Sequence, residues 1–387
     1  MLRETLFVTL TAREQNDFLE RGFTRRSLGR IAALITAGAS MPFWNEPALA
    51  QFAKVENAPP DAVMINANEN PMGPCAEARE AARRIIDMGG RYLFGEADKV
   101  GNLLAEQEGL KPNYVTVYAG SSAPLHQSVL AFTSPTKPLV IADPSYESGP
   151  LAAAFIGAKT IRVPLTKDYR HDVKAMLAAG GANAGLYYIC TPNNPTGTLT
   201  PKQDIEWLVE NKPKGSIVMV DEAYTHIAGA PFNSDLVAKD KDVVVLRTFS
   251  KIYGMAGLRA GAALARPDLL EKIGGFSRGF MPITGMVAAT ASLKQKNLAP
   301  ERRKLIGDIR EETFGFLEKH NFGYVPSVSN CFMVDVKRPG MEAVLALRQE
   351  KVYVGRVWPI MPNYVRVTVG TAEEMKKFQA AFLKVMA

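Results

Sequence analysis

The sequence predicts an α/β protein with a large, mostly parallel sheet wrapped by helices and a smaller α+β domain following it. Three observations carry this. From Lys111 onward, short β-branched runs alternate with longer helical stretches. Several of those runs are apolar on both faces, as strands covered by helices on each side must be. In the last third the alternation stops, and long helical patterns flank a few separate strands. With 387 residues, 47% of them hydrophobic, the chain can bury a large core in two packed sub-domains.

Taken in order, the first fifty residues read as a leader outside the fold. "TRRSLGR" (Thr24 to Arg30) sets paired arginines before the apolar stretch "IAALITAGASMPFW", and "ALA" (Ala48 to Ala50) offers small residues for a signal peptidase. The apolar run is too short to span a bilayer comfortably as a helix. The pattern resembles a twin-arginine export signal cleaved before Gln51, which predicts a periplasmic protein with no stable membrane anchor after cleavage; the alternative is a charged amphipathic helix on a cytoplasmic protein. Residues 51–90 are assigned to an N-terminal arm and part of the small domain, 91–280 to the large domain and 281–387 to the small C-terminal domain.

Within the large domain, "VTVYAG", "PLVIAD", "TIRVPL", "GLYYIC", "SIVMVDEAY" and "VVVLRTFS" read as strands. "APLHQSVLAFT", "SGPLAAAFIG" and "TPKQDIEWLVEN" read as the helices between them. Such alternation predicts a doubly wound sheet whose functional loops gather at the strand C-termini. Beyond it, helical patterns at about Pro300 to His320 and Thr371 to Met386 flank the strands "NCFMVDV", "VYVGRVW" and "YVRVTVG". The net charge of +7 is spread among interspersed acidic and basic residues, with no basic arm of the kind nucleic-acid binding needs. Three widely spaced cysteines and four histidines offer neither a disulfide framework nor a metal-ligand spacing.

The chemistry-bearing residues fall where predicted strands end. "RTFSKIYGMAGLR" places Lys251 after Thr248 and Ser250, with Arg259 eight positions beyond it. "VMVDEAY" puts Asp221 and Tyr224 at the end of an apolar strand, where a carboxylate needs a cationic partner because burying it alone costs several kcal/mol. That partner could be a basic residue of a neighbouring helix or a bound heteroaromatic cation. "VYAGSSAPLHQS" leads through Gly120, Ser121 and Ser122 into a helix whose free amides and hydroxyls suit a phosphate. A lysine amine for a Schiff base, a carboxylate for a pyridine nitrogen and a glycine-serine turn for a phosphate are together what pyridoxal phosphate requires.

From Asn66 onward the chain resembles the class I/II aminotransferases, and within them the histidinol-phosphate aminotransferase subfamily. "NANENPMGP", "CTPNNPTGT", "VDEAY", "RTFSKIYGMAGLR" and "VRVTVGT" occur in that family's order. The resemblance implies the aspartate-aminotransferase fold and a homodimer with active sites at the subunit interface. It implies Lys251 as the Schiff-base lysine, Asp221 on the pyridine nitrogen, and Asn194 and Tyr224 on the phenolic oxygen. Tyr146 would stack on the ring. Ser121, Ser122, Thr248, Ser250 and Arg259 would form the phosphate cup, with Tyr92 reaching the phosphate from the other subunit. Arg366 would grip the substrate α-carboxylate, with Asn70 also at the substrate.

Departures concern the substrate wall. "SSAP" replaces an acidic pair after the cup serine, "RYLF" stands for "RYPD", and "RGFMPITGMVAAT" replaces an Asn-containing loop. Arg356, in "VYVGRVW", matches an arginine that reads the distal group of the substrate; its other reading is a surface cation on a strand. The resemblance thus implies transfer of an amino group between an amino acid and a 2-oxo acid, and the departures point to a donor other than histidinol phosphate. Decarboxylation, racemisation or amino-acid oxidation on the same fold is the alternative.

Overall fold

A computed structural model describes residues 11–37, 58–276 and 279–387. Its strands are β1 (Val63–Ile65), β2 (Val115–Tyr118), β3 (Leu139–Asp143), β4 (Thr160–Pro164), β5 (Leu186–Cys190), β6 (Ile217–Asp221), β7 (Val243–Thr248), β8 (Gly261–Leu264), β9 (Cys331–Asp335), β10 (Val352–Val354) and β11 (Tyr364–Thr368). Seven of them form the large sheet in the order β2-β8-β7-β6-β5-β3-β4. Strands β7, β6, β5, β3 and β4 run parallel, while β8 lies antiparallel between β2 and β7. Every residue of β5, β6 and β7 is buried, as expected for strands roofed by helices on both faces.

Two strands have no counterpart in the sequence pattern. β8 reads "GAAL", without the β-branched residues that mark a strand. Its small residues have a packing cause. A Cβ on Gly261 would stand 2.5 Å from the carbonyl carbon of Gly120 and 2.8 Å from the Arg247 oxygen, so the backbones of two neighbouring segments close over it. The other, β1, is only three residues long and pairs in parallel with β10, bringing the N-terminal arm into the small domain. There, β9 and β11 pair antiparallel beside the helices Leu298–Lys319 and Ala372–Met386. The second of these helices starts with a capping box between Thr371 and Glu374.

Arg247 fastens the large sheet to its flanking helix. Its guanidinium, 2% exposed, donates to Glu222 at 2.6 Å and to both oxygens of Glu108 at 2.6 and 3.0 Å, and it lies 3.8 Å from the Phe232 ring centroid. Two carboxylates offset the desolvation of one buried cation and hold the strand that leads to Lys251 in register.

The N-terminal segment differs from its expected place outside the fold. Helices α1 (Ala12–Glu20) and α2 (Arg25–Ala37) lie against the large domain. Phe18, Phe23, Leu28 and Ile31 are buried, and Phe18 meets Phe276 edge-on. Arg21 donates to the carbonyl oxygens of Leu130, Ala131 and Thr133 at 2.8–3.1 Å, capping the C-terminal end of the helix Ser122–Phe132. A cation on those carbonyls is favoured by their hydrogen-bonding need and by the helix dipole. Arg25 and Arg26 stay exposed at the start of α2. The predicted cleavage position before Gln51 lies outside the described residues.

Candidate active site

The C-terminal ends of β5, β6 and β7, with the helix Ser122–Phe132, enclose a cavity of about 280 Å³. This is the crevice in which open α/β sheets bind ligands. Its lining brings together Ser121, Ser122, Tyr146, Asn194, Asp221, Tyr224, Thr248, Ser250, Lys251 and Arg259. Those residues span more than a hundred positions of sequence, and only the return of each strand to the same edge makes them neighbours. Lys251 is buried in the loop after β7; its Nζ donates to the Asn68 carbonyl oxygen at 2.6 Å and lies 5.5 Å from the Tyr224 ring centroid.

Asp221 ends β6, 4% exposed. It accepts from the Tyr188 hydroxyl at 2.9 Å and from the Ala223 backbone N–H at 3.2 Å. Burial is the larger effect and pushes its carboxyl up to about 6, against the opposing pull of those hydrogen bonds. A cationic ligand beside it would favour the ionised form. Asp221 is therefore built to receive a cation.

On the opposite side stands an anion cradle. Thr248 Oγ1 donates to Ser250 Oγ at 3.0 Å and accepts from the Ser250 N–H at 3.2 Å. Arg259 reaches the Ala256 and Ala119 carbonyls at 2.9 and 3.1 Å and Ser250 Oγ at 3.4 Å. Burial pulls its guanidinium below the ordinary arginine value, a deficit that a bound anion would reverse. Gly120 explains why this arginine fits. With φ +87°, it lies so that a Cβ there would stand 2.1 Å from Arg259 Nη2. A side chain at position 120 would evict the guanidinium.

Four sequence-predicted residues lie outside the cavity lining. Arg366 is fully buried on β11 and donates to Asn194 Oδ1 at 2.9 Å and to the Asn66 carbonyl at 2.6 Å. Asn70, expected at the substrate, donates its amide to the carbonyls of Lys251 and Ile252 at 3.0 and 3.2 Å, clamping the lysine loop. Tyr92 is 68% exposed and packs on Phe94 and Phe280 at centroid distances of 5.4 and 5.3 Å. Arg356 is paired: Glu147 accepts from both Nη atoms at 2.7 and 3.0 Å.

Three residues at the site went unread in the sequence. Asn68 takes φ +51° inside "NANENP"; it holds Lys251 through its carbonyl, and its side-chain amide donates to the Tyr224 hydroxyl at 3.1 Å. An asparagine beside a Pro-containing turn was the available signal, since asparagine tolerates this backbone region better than most side chains. Tyr188 sits in a strand that reads as plain core. Glu147 looks like an ordinary surface charge until the fold brings Arg356 to it.

Comparison with known proteins agrees with this geometry. Residues 60–382 match the model of the family "Aminotransferase class I and II". A histidinol-phosphate aminotransferase of Symbiobacterium thermophilum is 33% identical over 325 residues, covering 83% of this chain and 90% of that protein. An aromatic amino acid aminotransferase of Cutibacterium acnes is 34% identical over 279 residues, covering 70% and 78%. The structure of histidinol-phosphate aminotransferase from Sinorhizobium meliloti in complex with pyridoxal 5′-phosphate superimposes with a TM-score of 0.77 at 25% identity, covering 91% of this chain and 96% of that one.

The donor set fits that cofactor. Its ring nitrogen needs a carboxylate, its phenolic oxygen hydrogen-bond partners, its phosphate a cationic hydroxyl-lined cradle and its aldehyde an amine; the cavity contains one of each. The fold is the aspartate-aminotransferase-like one, and the chain belongs to the class I and II aminotransferases, the pyridoxal-phosphate enzymes that move an amino group between an amino acid and a 2-oxo acid.

Proposed function

We propose that this aminotransferase handles its cofactor as the histidinol-phosphate aminotransferases do while taking a different amino donor. The observation that carries the first half is the convergence of Lys251, Asp221, the Asn194–Tyr224 pair and the Thr248–Ser250–Arg259 cradle on one cavity. When bound, pyridoxal phosphate supplies an electron sink for the bonds at the substrate Cα. Lys251 would hold it through Nζ, and Asn70 and Asn68 keep that lysine aimed by holding its loop and its amine. Asp221 would keep the ring nitrogen protonated, with the Tyr188 hydroxyl steadying the carboxylate. Asn194 and Tyr224 would direct hydrogen bonds to the phenolic oxygen, and Tyr146 would cover the ring. Ser121, Ser122, Thr248, Ser250 and Arg259 would hold the phosphate. The exposed Tyr92 would reach the phosphate of a second subunit in a homodimer. Spectra of the purified protein mixed with single amino acids test the reading: productive donors convert the cofactor to its amine form, and a 2-oxo acid restores it. Failure of every donor in a broad panel to drive that cycle would remove it.

Arg366 holds the α-carboxylate that all donors share. Its Nη atoms rest on neutral carbonyl oxygens of Asn194 and Asn66, and the planar guanidinium matches a planar carboxylate. Arg366→Ala is expected to lower kcat/KM for glutamate, an aromatic and an aliphatic donor alike, by roughly 2–5 kcal/mol each. Unequal losses would assign Arg366 to side-chain recognition instead.

The enzyme is exported to the periplasm with its cofactor already inserted, through Arg25 and Arg26. Both arginines are exposed, and the Thr24 hydroxyl accepts from the Ser27 N–H at 3.2 Å to start their helix. Replacing both with lysine is expected to hold folded, loaded enzyme in the cytoplasm. Normal periplasmic yield of that variant in cell fractionation would reject the signal.

A further inference from the structure

Arg356, read from sequence as a sensor of the distal group of the substrate, already has an anion. Glu147 meets it with two parallel hydrogen bonds of 2.7 and 3.0 Å, and the two side chains are only 15% and 23% exposed. The pair adjoins one cavity residue along the chain and Arg366 through the backbone. Glu147 follows Tyr146, which lines the cavity, and Arg356 is joined to Arg366 by backbone hydrogen bonding between Arg366 N–H and the Arg356 carbonyl at 3.4 Å. Trp358 lies between the two arginines, its ring centroid 4.5 Å from the Arg356 guanidinium and 5.6 Å from that of Arg366. The tryptophan is 2% exposed, and its indole N–H has no acceptor among the described residues.

We infer that Glu147 is a specificity-determining residue: an internal counter-ion that occupies the distal arginine and turns the site toward donors with neutral, aromatic side chains. This deepens the aminotransferase reading and rests on it. A donor with a distal carboxylate or phosphate can use Arg356 only by displacing Glu147, which leaves a half-buried carboxylate without its cation. An aromatic donor leaves the ion pair intact and stacks on the Arg356 guanidinium, which the buried indole backs at 4.5 Å.

The test uses holoenzyme and two probes that lack an amino group and cannot be turned over. Glutarate presents a distal carboxylate, and 3-phenylpropanoate presents a ring. Dissociation constants come from calorimetric titration. Wild type is expected to bind 3-phenylpropanoate more tightly. Glu147→Gln is expected to shift the ratio toward glutarate by roughly tenfold or more, because it removes the competing charge and keeps the shape. The shift should vanish in the double variant with Arg356→Ala. Glu147→Ala carries the same expectation should the amide variant not fold. An unchanged ratio, or equal weakening of both probes, would overturn the inference and leave Glu147 a structural residue. A shifted ratio in a protein that transaminates no donor would keep the inference about the pair and sink the aminotransferase reading alone.

Discussion

Lys251→Ala is expected to lower turnover by roughly four orders of magnitude or more while leaving the fold intact, since it removes the covalent nucleophile itself. The side chain's Nζ donates to the Asn68 carbonyl, which the neighbouring Asn330 amide also approaches at 3.4 Å. The loop keeps its shape without it, because Asn70 holds the backbone carbonyls of positions 251 and 252 rather than the amine. Borohydride reduction of the wild type is expected to fix the mass of the cofactor on the peptide containing Lys251, read by mass spectrometry. A label on a different lysine would displace the assignment.

Asp221→Asn is expected to have opposite effects on stability and on activity. Burial lifts the Asp221 carboxyl from 3.8 to about 6. A raised folded-state value means that folding favours the protonated form. Its contribution is fully present below about pH 3.8 and is lost as pH rises through about 6. Protein stripped of cofactor at pH 8 therefore carries an ionised, buried carboxylate that costs about 2–3 kcal/mol. The asparagine variant escapes this cost, so in denaturant titrations it should be the more stable of the two at pH 8 and nearly equal near pH 4. With cofactor the order reverses. Only the carboxylate pairs with a protonated ring nitrogen, so the variant should hold the cofactor more weakly and lose kcat, by roughly a hundredfold or more. Near-normal kcat with full cofactor occupancy would remove Asp221 from this role, and a destabilised stripped variant at pH 8 would contradict the burial argument.

These two effects fit a general pattern in which a functional group sits where the fold alone would not choose it. Tyr188 limits the cost at Asp221 with one hydrogen bond, and nothing comparable is needed on β7, where Val243 to Leu246 are fully buried hydrocarbon. The same strand then turns polar at Arg247 and Thr248, and Ser250 follows it in the anion cradle.

Much of this molecule was determined by local sequence. The period-two and unbroken apolar runs marked β2 through β7 and β9 through β11, because each strand's burial is written in its own residues. The residues that line the cavity were legible for a related reason: a lysine, a strand-end carboxylate and a glycine-serine turn each sit on a short segment whose backbone path is local. Tertiary structure alone decided the rest. The strand character of β8 comes from backbones of other segments pressing on Gly261, and its own sequence carries no trace of them. Asn70 holds the lysine loop, and Asn68 the lysine, across more than 180 positions. Helices α1 and α2 and the turn between them bury Phe18 and Phe23 and place Arg21 on carbonyls more than a hundred residues away. Glu147 and Arg356, separated by 209 positions, form an ion pair that changes what the arginine can recognise. In each case the deciding partner is distant in the chain, and a linear pattern encodes what a residue is but not what will pack against it or exclude water from it.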